Sequence, residues 1–159
     1  MDKALLIIDM QTGFKTAYDK KTIQNVLKQI DEAGENDLPI FVLEHTISTF
    51  GQTLPEIQEY LDDYDNKYYI EKMQDDGGNE LIDCVKENNY LVDEFITCGV
   101  NISYCIAKTI NSLVKYYNKY ITVIYDACNC NNDKDEAFEG EYCGYDSCEI
   151  FNNDKVLIQ

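Results

Sequence analysis

Ala4-Leu5-Leu6-Ile7-Ile8-Asp9, close to the start of a 159-residue chain, is the stretch on which the fold turns. Five apolar residues without alternation read as a strand buried on both faces, the pattern of a parallel sheet covered by helices. The carboxylate that closes the run falls at the strand's carboxyl end, the edge where open α/β sheets bind ligands. Outward from it the pattern repeats. Ile23, Val26, Leu27 and Ile30 share one face of a helix between Lys20 and Ala33, and Gly34 closes that helix. Pro39 opens the strand Ile40-Phe41-Val42-Leu43, with Glu44 and His45 at its carboxyl end.

Leu54, Ile57 and Leu61 mark a short helix ahead of a solvated acidic turn at residues 62–66. Tyr68-Tyr69-Ile70 is a brief strand followed by Lys72, and Asp75-Asp76-Gly77-Gly78 reads as a loop. Leu81, Ile82 and Val85 predict a helix, residues 90–98 a strand, and Gly99-Val100-Asn101 a turn. Ile102, Ile106, Ile110, Leu113, Val114 and Tyr117 form a strong helical stripe. Residues 121–125 make another buried strand ending at Asp126, and 155–158 a short terminal one. Alternating strands and helices predict one domain over residues 1–159. Its expected fold is α/β, a Rossmann-like, doubly wound, mostly parallel sheet of five or six strands flanked by helices.

The 13 cationic side chains are all lysine and stand against 30 acids, a formal charge of −17. So acidic a field repels nucleic acid and anionic membrane, so neither is expected as a partner, and a small-molecule substrate is. The longest apolar runs fall far short of the ~20 residues that span a bilayer. The N-terminus lacks the layout of a secretion signal, and the chain reads as cytoplasmic. Seven cysteines without such a signal are expected to be reduced thiols.

If the runs are parallel strands, Asp9, Lys72 and Cys105 meet at one edge. A thiol beside a carboxylate and an ammonium is the equipment of a cysteine nucleophile. Cys105, in the first turn after Gly-Val-Asn, is placed where backbone N–H groups stabilise an oxyanion. The helix N-terminus and Lys72 are expected to favour its thiolate, charged Asp9 to oppose it as half of a coupled acid–thiol pair, and Cys105 to be the first thiol to alkylate. Asp9 would take the thiol proton and return it to the leaving amine, with Lys72 holding both groups charged. Taken singly, Cys105 also reads as a small buried hydrophobe, Asp9 as a turn cap and Lys72 as a surface lysine.

Leu5-Leu6-Ile7-Ile8-Asp9-Met10-Gln11, a lysine after the third strand, Gly99-Val100-Asn101 with Cys105-Ile106 and Thr109, and Asp126-Ala127 together resemble the isochorismatase-like cysteine hydrolases. The likeness covers about residues 3–127. It implies a catalytic triad of Asp9, Lys72 and Cys105, and an oxyanion hole at Val100, Asn101 and Cys105 with a cis Val100–Asn101 peptide. It also implies cleavage of a small amide, carbamoyl or related C–N bond through a thioester, and a homo-oligomer, for which the Tyr116, Tyr117 and Tyr120 face is a candidate. Gln11, Phe14 and His45 are assigned to substrate. The family's usual aromatic beyond the lysine is replaced by residues 75–78, which predicts reduced substrate loops. Two alternatives stay open: a non-catalytic binding member of the same fold, and isochorismatase-type vinyl-ether hydrolysis in which the acid does the chemistry.

No cofactor and no catalytic metal are expected. Nicotinamidases of this family hold zinc through an Asp and two histidines, and His45 is the chain's single histidine. Cys128, Cys130, Cys143 and Cys148 could form a structural zinc site, but their spacing is not a standard knuckle pair.

Overall fold

The computed structural model describes residues 1–140 and 146–159, with the side chains of 146–148 left aside. Six strands form one all-parallel sheet: β1 (Lys3–Ile8), β2 (Ile40–His45), β3 (Lys67–Lys72), β4 (Glu94–Val100), β5 (Tyr120–Asn129) and β6 (Val156–Ile158). Their order is β3-β2-β1-β4-β5-β6, every neighbouring pair parallel. This is the doubly wound arrangement, with its switch point between β1 and β4.

The period of two along β1 explains the two layers. Ala4, Leu6 and Ile8 face the core shared with α4 (Gly78–Glu87) and α5 (Ala107–Tyr117). Leu5 and Ile7 face the opposite core, with Ile23, Val26 and Ile30 of α1 (Lys20–Glu35). Asp19 caps α1 by accepting from Thr22 N–H at 2.8 Å. The short helices α2 (Ile47–Phe50), α3 (Pro55–Leu61) and α6 (Lys134–Phe138) fill the connections.

β4 begins at Glu94, later than the apolar pattern from Tyr90 suggested. Leu91 is 82% exposed and belongs to the approach, so its hydrophobicity carries no pairing. β5 runs on to Asn129 through an irregularity, the register jumping from Thr97↔Val123 to Gly99↔Cys128. Asp126 therefore lies inside this strand and not just past its end.

Gly99 is what allows β1 and β4 to close up beneath the site. Its φ is +130°, and a Cβ there would stand 2.0 Å from the Ile8 carbonyl oxygen. The next residues leave the sheet under strain. Asp9 after β1 and Asn101 after β4 both hold left-handed conformations, φ 55° and 68°. Such conformations in residues other than glycine gather at functional sites.

Candidate active site

Asp9, Lys72 and Cys105 come together, delivered from the ends of β1 and β3 and from the turn after β4. Lys72 is fully buried, and so is Asp9. The Lys72 ammonium lies 3.1 Å from Asp9 Oδ2 and donates to the carbonyl oxygens of Gln74 (3.0 Å) and Asp75 (2.9 Å). Two carbonyl acceptors and the opposite charge of Asp9 make a buried ammonium tolerable. Asp9 is served less well. Among the described residues neither of its oxygens accepts an aligned hydrogen bond, and its contact with Lys72 is ionic. Burial raises its carboxyl above the ordinary value, only partly offset by Lys72, by Cys105 and by His45. A buried acid short of hydrogen bonds is poised to accept a proton.

Cys105 sits in a π-helical turn, Ile102–Ile106, that leads into α5. Ile106 N–H donates to the Asn101 carbonyl, the five-residue span of a π-turn, a feature frequent at functional sites. The thiol is 3% exposed. Contrary to the expectation of a stabilised thiolate, it is pushed well above the usual thiol range. Burial is the first cause and the Asp9 charge the second, and together they outweigh Lys72. Depth and the Asp9 charge both favour the protonated thiol.

No cis peptide occurs among the described residues, so the cis Val100–Asn101 bond expected from the resemblance is absent. The reversal is made instead by the left-handed Asn101, a conformation that its short polar side chain tolerates. Asn101 Oδ1 accepts from Thr16 Oγ1 at 3.1 Å, and its N–H donates to the Asn129 carbonyl at 3.0 Å. The turn before Cys105 is thereby tied to the loop after β1 and to β5.

Gln11 is fully buried, and its amide is committed to backbone. Its Nε2 donates to the carbonyls of His45 (2.9 Å) and Gly51 (2.6 Å), and its Oε1 accepts from His45 N–H at 2.6 Å. The residue assigned to substrate thus clamps the β2 end that carries His45. Phe14 stacks on Phe50 with centroids 4.6 Å apart, and Phe50 meets the His45 ring edge-on at 4.9 Å. These rings give the mouth of the site an apolar side.

Two residues of the site escaped the sequence reading. Asp75 Oδ1 lies 3.4 Å from His45 Nε2 and 3.9 Å from Cys105 Sγ, while Oδ2 accepts from Lys108 Nζ at 2.8 Å. Although burial opposes it, the bond to Lys108 and the nearby cations leave the Asp75 carboxyl below its ordinary value. Residues 75–78, read as a truncated loop, are in fact docked on α5. Gly77 N–H donates to Thr109 Oγ1 at 3.1 Å, and Ser112 Oγ to Asp76 Oδ2. A Cβ on Gly77 would stand 2.6 Å from Lys72 Cδ, so glycine is what lets the loop cross the lysine. One signal for the pair was present: Lys108 follows Cys105 by three, and neighbours on a helix face recur at that step.

The donors of the nicotinamidase zinc centre, an Asp and two histidines, do not fit this chain, since His45 is its single imidazole. Among the four tail cysteines, Cys128 is buried, Cys130 half-buried, and both are free thiols. Cys143 and the Cys148 side chain lie outside the described residues.

A doubly wound α/β domain with an acid, a lysine and a thiol at its switch point defines a class, and the sequence comparison names it. The isochorismatase domain matches residues 3–141, and the chain belongs to that family. A search of curated proteins gives no match. Solved structures share the fold. The MAR1 ribonuclease from Caenorhabditis elegans is 22% identical with TM-score 0.79, covering 99% of this chain and 77% of that one. The nicotinamidase SaPncA from Staphylococcus aureus is 18% identical, TM-score 0.76, with both chains covered fully. N-carbamoylsarcosine amidase from Thermoplasma acidophilum is 17% identical, TM-score 0.73, covering 100% of this chain and 96% of that one.

Proposed function

We propose that this protein is a cysteine hydrolase that cleaves a small amide, carbamoyl or related C–N bond through Asp9, Lys72 and Cys105. The observation that carries this reading is the fully buried Asp9–Lys72 ion pair beside a buried thiol, at the sheet's switch point. Two buried charges cost several kcal/mol to desolvate, an expense with no packing return and one that chemistry explains. Asp9 removes the thiol proton as Cys105 Sγ attacks the carbonyl carbon, so the thiolate forms only with substrate present. Asp9 then protonates the leaving amine, and water hydrolyses the thioester with Asp9 as base. Lys72 keeps Asp9 ionised and holds the loop that presents Asp75. Of the expected oxyanion hole at Val100, Asn101 and Cys105, the Asn101 N–H is held by the Asn129 carbonyl, and the role falls to the Cys105 N–H in the turn.

Names of similar structures support amide and carbamoyl substrates, and the acidic field opposes RNA as a substrate. His45, Asp75 and Lys108, with Phe14 and Phe50 beside them, form the substrate-facing wall. No metal takes part in this mechanism. Among the described residues no helix is long and apolar enough to cross a membrane. Tyr116, 75% exposed, and Leu91 flank a surface cleft of about 410 Å³, the face we assign to self-association.

The test is ammonia release over a panel of small amides, ureas and carbamates, with Cys105→Ser as control. One observation favours a second reading: a buried, neutral thiol is not needed for vinyl-ether hydrolysis, in which Asp9 alone would act. A vinyl-ether substrate, read by its carbonyl product, is run beside the panel: its turnover surviving Cys105→Ser would select that reading, and no turnover of either substrate class would select a non-catalytic binder.

A further inference from the structure

The single histidine rules out the family's zinc centre, yet the fold closes a different donor set around the thiol. His45 Nε2 and Cys105 Sγ lie 3.4 and 3.9 Å from the same oxygen, Asp75 Oδ1, and the three donor atoms fall within 4.8 Å of one another. We propose that His45, Asp75 and Cys105 form a zinc site that captures the nucleophile, so that the ion acts as a reversible inhibitor and not as a cofactor.

The geometry is close to what the ion requires. Tetrahedral zinc with bonds of about 2.0–2.3 Å sets its ligand atoms about 3.3–3.6 Å apart. The His45–Asp75 edge already has that length, and the Asp75–Cys105 edge exceeds it by a few tenths of an ångström. The remaining edge, within 4.8 Å, closes by at most about 1.2 Å, within reach of side-chain torsions. The donors are also oriented. His45 Nδ1 lies 2.9 Å from Thr46 Oγ1, so donation there leaves the Nε2 lone pair facing Asp75. Lys108 holds the other oxygen of Asp75 at 2.8 Å, and the Lys72 bond to the Asp75 carbonyl fixes the backbone beneath it. A carboxylate and a thiolate cancel the charge of a divalent ion, with water at the fourth corner. Nitrogen and sulfur donors select zinc over magnesium or calcium.

The exchange balances without redox change. The S–H bond breaks, its proton leaves to solvent through Asp9, and an S–Zn bond takes its place. The sulfur lone pair that would attack a carbonyl is then bound to metal. Binding stands by itself, whereas inhibition rests on the hydrolase reading, so the two are scored separately.

The probe is cobalt(II), titrated into the metal-free, reduced full chain, with His45→Ala, Asp75→Asn and Cys105→Ala alongside, each checked for native circular dichroism. We expect one equivalent to give a sulfur-to-cobalt charge-transfer band with tetrahedral visible bands. Zinc should displace both, and each variant should lose them. Where turnover is measurable, zinc should suppress it and EDTA restore it. Bands that persist in His45→Ala and Cys105→Ala would place the ion on the tail cysteines and overturn the proposal. So would the absence of bands in the parent chain, or bands lost in Cys105→Ala but kept in His45→Ala. Asp75→Asn, which preserves shape, serves if an alanine variant fails to fold.

Discussion

Lys72→Met is the most searching perturbation of this fold, because it removes one half of a fully buried ion pair. At 3.1 Å and an effective dielectric of about 20, the attraction between Lys72 and Asp9 is worth about 5 kcal/mol. Loss of one member of a buried pair costs about 3–5 kcal/mol. The bonds to the Gln74 and Asp75 carbonyls are lost as well, at about 1.5–3 kcal/mol each for a charged donor. Against a total stability of about 5–15 kcal/mol, the variant should be marginal at neutral pH. Asp9→Asn together with Lys72→Met removes the stranded charge and should recover at least about 2 kcal/mol. The loop bonds stay lost in both proteins and cancel in the comparison.

The sign of the pH dependence follows from Asp9, whose folded pKa already lies above 3.8. Without Lys72 it rises further. A carboxyl whose folded pKa is raised loses stability as pH climbs from its unfolded value through the folded one. The deficit of Lys72→Met should therefore be greatest near neutral pH and shrink toward pH 4, while the double variant shows no such trend. Urea unfolding of all four members of the cycle, at several pH values, measures this. A coupling below about 0.5 kcal/mol would mean the pair behaves like an exposed one, refuting the argument.

Asp9→Asn and Cys105→Ala should each lower kcat by a factor of about 10² to 10⁴ or more, read from ammonia release; in calorimetry Cys105→Ala should leave the melting temperature little changed, whereas Asp9→Asn strands the buried Lys72 ammonium and should lower it. In the parent enzyme, kcat/KM should rise with pH through a midpoint above 3.8, since Asp9 acts as base only when ionised; a flat profile from pH 4 to 7 would contradict its role. Iodoacetamide followed by peptide mapping should label the half-buried Cys84 and Cys130 ahead of Cys105, with the fully buried Cys98 and Cys128 last; labelling of Cys105 first would show a thiolate at rest. Gly99→Ala should destabilise by about 3 kcal/mol or more in urea unfolding, because its Cβ would meet the Ile8 carbonyl oxygen in a left-handed backbone; a change under about 1 kcal/mol would show that β1 can shift.

The strand at residues 4–8 and the helical stripes at 23–30 and 102–117 were legible because burial on one or two faces leaves a period in sequence. That period fixed the parallel sheet, and with it the edge to which Asp9, Lys72 and Cys105 are brought. What it could not convey is what the three do to one another. Helix position and a nearby lysine argued for a thiolate at Cys105 against the charge of Asp9, and it is desolvation, set by depth, that tips the balance to the thiol. Gln11 looked like a substrate ligand until its amide was found bound to the His45 and Gly51 backbone. Asp75 carries no periodic signal, because it reaches Lys108 and Cys105 on a loop docked through Thr109 and Ser112. Periodicity reports which face of an element is dry. Charge balance within a buried site is a property of distances between elements, and only the folded chain sets those.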